Sequence, residues 1–337
     1  MEIIVPAAGL STRFPNMRPK YSLTGYDGYS MLYKALEPYL GKHNITVVLL
    51  AEHVNKLNTI DYIKEDLADL VNFVVLDQPT KGPAETIYQA IKKTGMDFSQ
   101  PLFIKDCDSF FDHDIKYGNY VCVTDVSEHN LLKNLSSKSF VTYNSSDIII
   151  DIIEKNVVSD KFCVGGYKFD TIESFCSSYE AIANKIDQPF VSHVIQNNLS
   201  NDEVFTLENV SNYVDVGTKE EWFEYNDKPV IFCDIDGTII KAGPIFDPVI
   251  PLENNIAKLK QMQSKGAQLI FTTARKNEYF DHTFHMLEKL GFSNFTLIVG
   301  LQNTKRILIN DFNAATPYPR AVGINLNRNQ DNLELYL

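Results

Sequence analysis

The sequence is short of positive charge, of paired cysteines, of tryptophan and of long apolar runs, and these shortages remove whole classes of protein. Its 337 residues carry 31 lysines and arginines against 43 aspartates and glutamates, a formal net charge of −12. A field of that sign repels nucleic-acid backbones and anionic membrane surfaces, so no nucleic-acid and no membrane partner is expected. It does not forbid a nucleotide, which local glycine loops, lysines and a bound cation can hold against the overall charge. The five cysteines, Cys107, Cys122, Cys163, Cys176 and Cys233, form no CxxC pair, and several sit inside apolar runs. They read as reduced core residues of a cytosolic protein rather than as disulfides or zinc ligands. No stretch approaches ~18 uninterrupted apolar residues, so no membrane span is expected. The opening MEIIVPAAG has neither a basic start nor a long apolar segment, so no signal peptide is expected and a cytoplasmic location is. Internal repeats and low-complexity segments are lacking too.

What is present is ordinary globular material, 44% hydrophobic and 22% charged, in a chain longer than one typical domain. Apolar runs of strand length lie at 2–6, 45–51, 71–76 and 101–105, and helical patterns fall at 31–41, 55–69 and 84–94. That alternation predicts a mainly parallel sheet with helices on both faces. From about 119 to 170 short strand-like runs follow one another, which predicts an antiparallel or mixed extension of the sheet; 171–198 is helical again. The polar stretch WFEYNDKP (222–229) reads as a join, giving domains of 1–226 and 227–337. Beyond it the pattern is strand, loop, helix (253–265), strand (268–273), helix (278–290), strand (295–299) and strand (307–310), a second and smaller alternating unit.

The first chemical signal is PAAGLSTRFPNMRPK (6–20). A buried strand ends and Ala7, Ala8 and Gly9 follow, small residues whose amides can approach phosphate oxygens. Arg13 supplies a planar fork and Lys20 a movable point charge. The segment resembles the signature loop of the sugar-phosphate nucleotidylyltransferase family, with Ser11 where that family usually carries glycine. Further segments resemble the family in its own order. DQPTKGPAETIYQAI places Gln78, Gly82, Pro83 and Ala84 at the nucleotide. FIKDCDSFF places Asp108 as a metal ligand, with Asp106 a second candidate and Cys107 in place of a glycine. IIEKN and VGGY place Glu154, Lys155 and Gly166 at the acceptor. YVDVGTKEEW places Asp215 as a second metal ligand. The resemblance implies a Rossmann-like mixed-sheet domain that uses Mg2+ to join a nucleotidyl group to a phosphorylated small molecule. CTP is the first choice of nucleotide, with UTP, dTTP and GTP open.

The second signal is VIFCDIDGTI (230–239), an apolar strand ending in Asp234 and Asp236. Strand alternation puts both carboxylates on one side with Ile235 turned away. Two acids so close repel unless a cation lies between them, and magnesium is the natural hard cation. The segment is similar to the first motif of the haloacid dehalogenase superfamily. The resemblance makes Asp234 a nucleophile and Asp236 an acid and base. It makes Thr273, rather than Thr272, a phosphate ligand, Lys305 the stabilising lysine and Asp311 the last magnesium ligand alongside Asp234 and Asp236. Asn310 stands where the superfamily often has another acid. The short spacings from Asp236 to Thr273 and from Thr273 to Lys305 leave no room for a large cap, so a small capless α/β domain with an open site is expected.

Together these readings predict a bifunctional α/β enzyme acting on an NTP and phosphorylated small molecules, in sugar-nucleotide or surface-glycan (capsule) precursor synthesis. The alternative is that one domain is catalytic and the other a regulatory or binding module. A homo-oligomer is compatible with the sequence.

Overall fold

The computed structural model describes residues 1–129, 135–245, 248–311 and 321–337. The chain divides into two compact units, Met1–Glu224 and Tyr225–Leu337.

The first unit opens on β1 (Glu2–Pro6), followed by α1 (Met31–Leu36), β2 (Asn44–Leu50), α2 (Ala51–Leu57), α3 (Thr59–Leu67), β3 (Asn72–Leu76), α4 (Pro83–Thr94) and β4 (Leu102–Lys105). Then come β5 (Ser109–Asp112), β6 (Tyr120–Asp125), β7 (Phe140–Tyr143), β8 (Ile149–Ile153), β9 (Lys161–Phe169), α5 (Ile172–Ile182), α6 (Val191–Ser200), β10 (Thr206–Asn209), β11 (Ser211–Asp215) and α7 (Lys219–Asn226). The large sheet runs β10-β6-β9-β4-β1-β2-β3, with β7 and β8 branching from β9. β1 pairs parallel with β2 and β4, and β2 parallel with β3. β9 enters antiparallel between β4 and β6, so the sheet is mixed, as the succession of short strand-like runs over about 119–170 predicts.

Period-two alternation decides which core each side chain joins. Ile3, Val5 and Ala7 face one cluster with Val47 and Leu49; Ile4 and Ala8 face the other with Val48 and Leu50. Burial on both faces is what a parallel strand needs, and it explains why these runs are continuously apolar.

Three helix expectations are corrected in extent. The helix expected over 55–69 is two helices, because Asn58 takes a left-handed conformation (φ 48°) that ends α2 and starts α3. The helix expected over 31–41 stops at Leu36 and tightens into a 3-10 turn over Glu37–Tyr39, where Pro38 cannot donate. The helical stretch 171–198 is interrupted between Ile182 and Val191, a gap that holds Pro189. That interruption brings the Pro189 carbonyl against the start of α4, where the Ala84 amide donates to it at 3.2 Å. A Cβ on Gly82 would stand 2.5 Å from the same oxygen. Gly82→Ala must therefore push backbone against backbone, and is expected to destabilise the first unit by about 1–3 kcal/mol. A fall in the urea midpoint at unchanged slope checks it.

The second unit holds β12 (Val230–Asp234), α8 (Glu253–Ser264), β13 (Gln268–Thr272), α9 (Phe280–Lys289) and β14 (Phe295–Ile298). Its three strands pair parallel in the order β12-β13-β14 over a core that includes Ile235, Leu259, Leu269, Phe271 and Leu287. The polar stretch expected as a join is largely helix, since α7 runs through Asn226. The strand expected over 307–310 is absent. Ile307, Leu308 and Ile309 have no ladder partner and are exposed. A short apolar run becomes a strand only when a neighbour offers its amides and carbonyls, and no described segment does so here.

Candidate active sites

The signature loop leaves β1 with its first residues committed to the core. Ala7 and Ala8 are buried, one on each face of the sheet, and the Ala7 amide donates to the Val48 carbonyl at 2.9 Å. Ala7 therefore offers no amide to a ligand. Gly9 is exposed, and nothing stands within 4 Å of where its Cβ would be. Ser11, the residue in the family's glycine position, adopts φ 52°. That conformation costs an L-residue about 1–2 kcal/mol. Its Oγ accepts the Lys20 amide at 3.2 Å, a compensating bond that ties the two ends of the loop.

Pairing of β5 with β11 assembles the acids. Their antiparallel register sets Asp215 opposite Ser109, and the Val216 amide donates to the Asp108 carbonyl at 3.0 Å. A Cβ on Gly217 would lie 3.1 Å from Asp108 Oδ2, 3.2 Å from Asp215 Oδ1 and 3.4 Å from Arg13 Nη1. Two carboxylates and a guanidinium thus surround one glycine, although Asp108 and Asp215 are more than a hundred residues apart in the chain. Lys20 Nζ stands 2.5 Å from Asp108 Oδ2, and Arg13 Nη2 3.4 Å from the same oxygen. Burial pushes the Asp108 carboxyl up, but Lys20 and then Arg13 more than reverse this and hold it well below the usual carboxylate range. Asp106 is raised, by burial first and by the charge of Asp108 second. Of the two candidates at this turn, Asp108 is the one that Lys20 and Arg13 contact.

Two cations here escape a reading of the sequence. Lys138 pairs with Asp215, and its position in SSKSF gives no motif to flag it. Lys105 is fully buried, with Nζ donating to the Asp106 carbonyl at 2.7 Å and the Ser109 carbonyl at 2.6 Å, so it stitches the turn that presents Asp108. Burial lowers its pKa to about 8.

Other candidates lie further from the acid pair. Glu154 accepts hydrogen bonds from Ser139 and Ser192, and Lys155 sets its ammonium 4.5 Å above the Phe190 ring. Their turn is joined to the Asp215 region through the backbone, where the Lys155 amide donates to the Lys138 carbonyl at 3.0 Å. Gly166 packs against Cys122 and Phe111, where a Cβ would come within 2.9 Å of both. The glycine beside an acid is Gly165, at φ 86°, where a Cβ would meet the Asp106 carboxyl. Gln78 is exposed, Pro83 is half-buried at the first position of α4, and Ala84 is fully buried beneath that helix.

In the second unit, β12 ends at Asp234, Ile235 is fully buried, and Asp236 follows on the open side. Asp236 is gripped by a residue the sequence shows in LIFTTAR without declaring its task. Arg275 donates through Nη2 to Oδ1 at 2.7 Å and through Nε to Oδ2 at 3.0 Å, a bidentate pair. The buried Thr273 hydroxyl donates to Asp236 Oδ2 at 3.2 Å, whereas Thr272 bonds back to the Cys233 carbonyl. Burial raises the Asp234 carboxyl, and Asp236 adds to the rise; Arg306 and Arg328 offset part of it. The cation at Asp234 is Arg306, with Nη2 4.0 Å from Oδ1. Lys305 is exposed and makes no ion pair with a described residue. A lysine one position from an arginine in an irregular segment cannot be assigned a direction from spacing alone.

The acid pair of the first unit fits a magnesium ion, which commonly takes one or two carboxylates and completes its shell with substrate phosphate and water. The second unit fits one less well. Both oxygens of Asp236 already accept donors, and Asp311 is not gathered with Asp234 and Asp236; among the described residues neither unit brings three of His, Cys, Asp and Glu to metal-binding range.

Residues 231–307 match the family model of haloacid dehalogenase-like hydrolases. No curated protein sequence matches the chain. The fold of the N-terminal two thirds is that of solved nucleotidyltransferases. It is similar to a nucleoside-diphosphate-sugar pyrophosphorylase of Vibrio cholerae RC9, with TM-score 0.58 and 17% identity over 67% of this chain and 100% of that one. It is also similar to an inositol-1-phosphate CTP transferase of T. maritima, with TM-score 0.53 and 16% identity over 65% of this chain and 90% of that one. Among the described residues no helix is long and apolar enough to cross a membrane.

Proposed function

We propose that the chain carries two active sites, a nucleotidyltransferase in the first unit and a phosphomonoesterase in the second. The observation that carries the first is the β5–β11 pairing, which sets Asp108 and Asp215 around Gly217 with Arg13, Lys20 and Lys138 in contact. Nucleotidyl transfer brings two anions together. An oxygen of the acceptor phosphate attacks the α-phosphorus of the NTP, and the bond to the β-phosphate breaks to release pyrophosphate. No covalent bond to the protein is needed; positioning and charge neutralisation suffice. Asp108 and Asp215 would hold magnesium, whose positive charge offsets that of the phosphates. Arg13 and Lys20 bind the triphosphate beside the exposed Gly9 turn. Gln78, Gly82 and Pro83 border the base, while Glu154 and Lys155 hold the acceptor, a sugar or polyol phosphate. CTP is the first choice of nucleotide, and surface-glycan precursor synthesis the setting.

In the second unit Asp234 attacks the phosphorus of a phosphate ester and the bond to the alcohol oxygen breaks, leaving an aspartyl-phosphate that water then hydrolyses to free aspartate and inorganic phosphate. Asp236 exchanges the proton with the leaving oxygen, Thr273 stands beside it, and Arg306 is the cation next to the nucleophile. No magnesium-dependent step is assigned there.

The test is a panel of NTPs against sugar and polyol phosphates, read as pyrophosphate release and product mass, run beside hydrolysis of p-nitrophenyl phosphate. Both activities in one preparation support the reading; absence of both overturns it. A second reading keeps only the transferase, with the second unit a binding module. It is favoured by one observation, the grip of Arg275 on both oxygens of Asp236. Pyrophosphate release without ester hydrolysis is its signature.

A further inference from the structure

Among the described residues the second unit has no cap domain, yet its site is not bare. The C-terminal segment lies across the turn that follows Asp236, tied down at several points. The Asn329 amide donates to the Gly237 carbonyl at 2.8 Å, and Asn329 Oδ1 accepts the Ala242 amide at 2.8 Å. Asp331 caps α8, its carboxylate accepting the amides of Asn254 at 3.1 Å and Asn255 at 2.8 Å. Asn255, fully buried, binds both strands of the crossing. Its Nδ2 donates to the Thr238 carbonyl at 2.7 Å and the Gln330 carbonyl at 2.8 Å, and its Oδ1 accepts the Leu333 amide at 2.8 Å. Leu333 is buried in the core of the unit, with Ile324 and Leu326 packed beside it. A segment held by this many bonds has a defined register.

That register puts Arg328 over Gly237. Where a Cβ on Gly237 would stand, Arg328 Cγ is 2.9 Å away and Nε 3.6 Å. The methylene stem occupies the space a larger residue would fill, one residue from Asp236, and the exposed guanidinium acts on the charge of Asp234. Asp236 is already satisfied by Arg275, and Asp234 faces Arg306. Arg328 makes no ion pair with a described residue. A guanidinium whose stem is seated on Gly237, which makes no ion pair with a described residue and lies close enough to Asp234 to act on its charge, is placed to meet a phosphate.

We propose that Arg328 is the substrate-binding arginine of the second site, delivered by the C-terminal segment in place of a cap, and that it grips the phosphate of a phosphomonoester. This rests on the reading of the second unit as a phosphate-ester site. Binding falls when the guanidinium is removed, while the attack by Asp234 is untouched once substrate is seated.

The test uses the full chain and two variants, Arg328→Met, which keeps the stem over Gly237, and Arg328→Lys, which keeps a positive charge. Binding of inorganic phosphate by calorimetry is expected to weaken about tenfold or more in Arg328→Met and to be largely restored in Arg328→Lys, at unchanged melting temperature. With p-nitrophenyl phosphate Arg328→Met should raise KM far more than it lowers kcat, and Arg328→Lys should return KM toward the wild-type value. Equal phosphate affinity in wild type and Arg328→Met overturns the proposal, as does loss of binding that merely tracks a lower melting temperature. If the wild type binds phosphate through Arg328 without hydrolysing the ester, the hydrolase reading fails and the arginine's role stands. If it binds no phosphate, both fail.

Discussion

Asp234→Asn is expected to cut hydrolysis of p-nitrophenyl phosphate on the order of a thousandfold or more, while pyrophosphate release by the same preparation stays at the wild-type rate. The substitution is nearly isosteric, so packing is preserved and only the nucleophilic oxygen anion is lost. It also relieves a repulsion, because the charge of Asp236 adds to the rise of the Asp234 carboxyl. The variant should therefore melt at or slightly above the wild-type temperature, which separates a chemical loss from a folding loss. An aspartyl-phosphate trapped on the wild-type chain and missing from the variant would complete the assignment. Retained hydrolysis in Asp234→Asn would mean that another group attacks the phosphorus.

The converse substitution, Asp108→Asn, is expected to lower pyrophosphate release by roughly 100-fold to 1,000-fold and leave ester hydrolysis intact. Asparagine is the better probe than alanine here. Lys20 Nζ lies 2.5 Å from the Asp108 carboxylate in a largely buried setting, and deleting its partner outright would strand a buried charge. An uncompensated buried charge costs about 3–5 kcal/mol, so an alanine variant would mix unfolding with chemistry. The amide keeps an acceptor for Lys20 and removes only the negative charge. A second variant gives the result its direction. Asp106→Asn should be much milder, because Lys20, Arg13 and the Gly217 turn gather at Asp108, whereas the Asp106 carboxylate lies against Gly165. If Asp106→Asn proved the more damaging of the two, the register that places Asp108 at the metal would be wrong. If either crossed variant, Asp234→Asn or Asp108→Asn, lost both activities while folded, the two sites would not be separate.

Different parts of each site were visible in the sequence to different degrees. Local chemistry was open to inspection. Small residues after a buried strand, an arginine and a lysine behind them, and an apolar strand ending in D-x-D-G-T are all contiguous, and contiguous residues keep their spacing when the chain folds. Alternation likewise foretold that Ile235 would be buried between two acids, and the succession of short runs over about 119–170 foretold that the sheet would turn from parallel to mixed. The partners of those residues were hidden. Lys138 reaches Asp215 from a stretch with no motif, and Arg275 stands in a recognised segment without any mark that it would clasp Asp236 with both edges of its fork. Arg306, not Lys305, faces Asp234, because an irregular segment has no period from which side-chain direction can be read.

The same division holds for the elements. Repeating apolar residues established by themselves that strands and helices alternate, since the period of each is a property of backbone geometry. They did not establish where a helix breaks. Asn58 ends one helix and starts another through a left-handed turn that a period of 3.6 does not register. They also overstated the run at 307–310, which has the composition of a strand but joins no ladder among the described residues. Strands, ion pairs and shared carboxylate sites are relations between distant segments, and their free energy exists only once those segments meet. Composition, charge and the contiguous motifs were thus determined by the sequence alone; the meeting of Asp108 with Asp215, the grip of Arg275, and the path of the C-terminal segment over Gly237 were decided by tertiary structure, because only closure of the chain brings those groups within the few ångströms at which they interact.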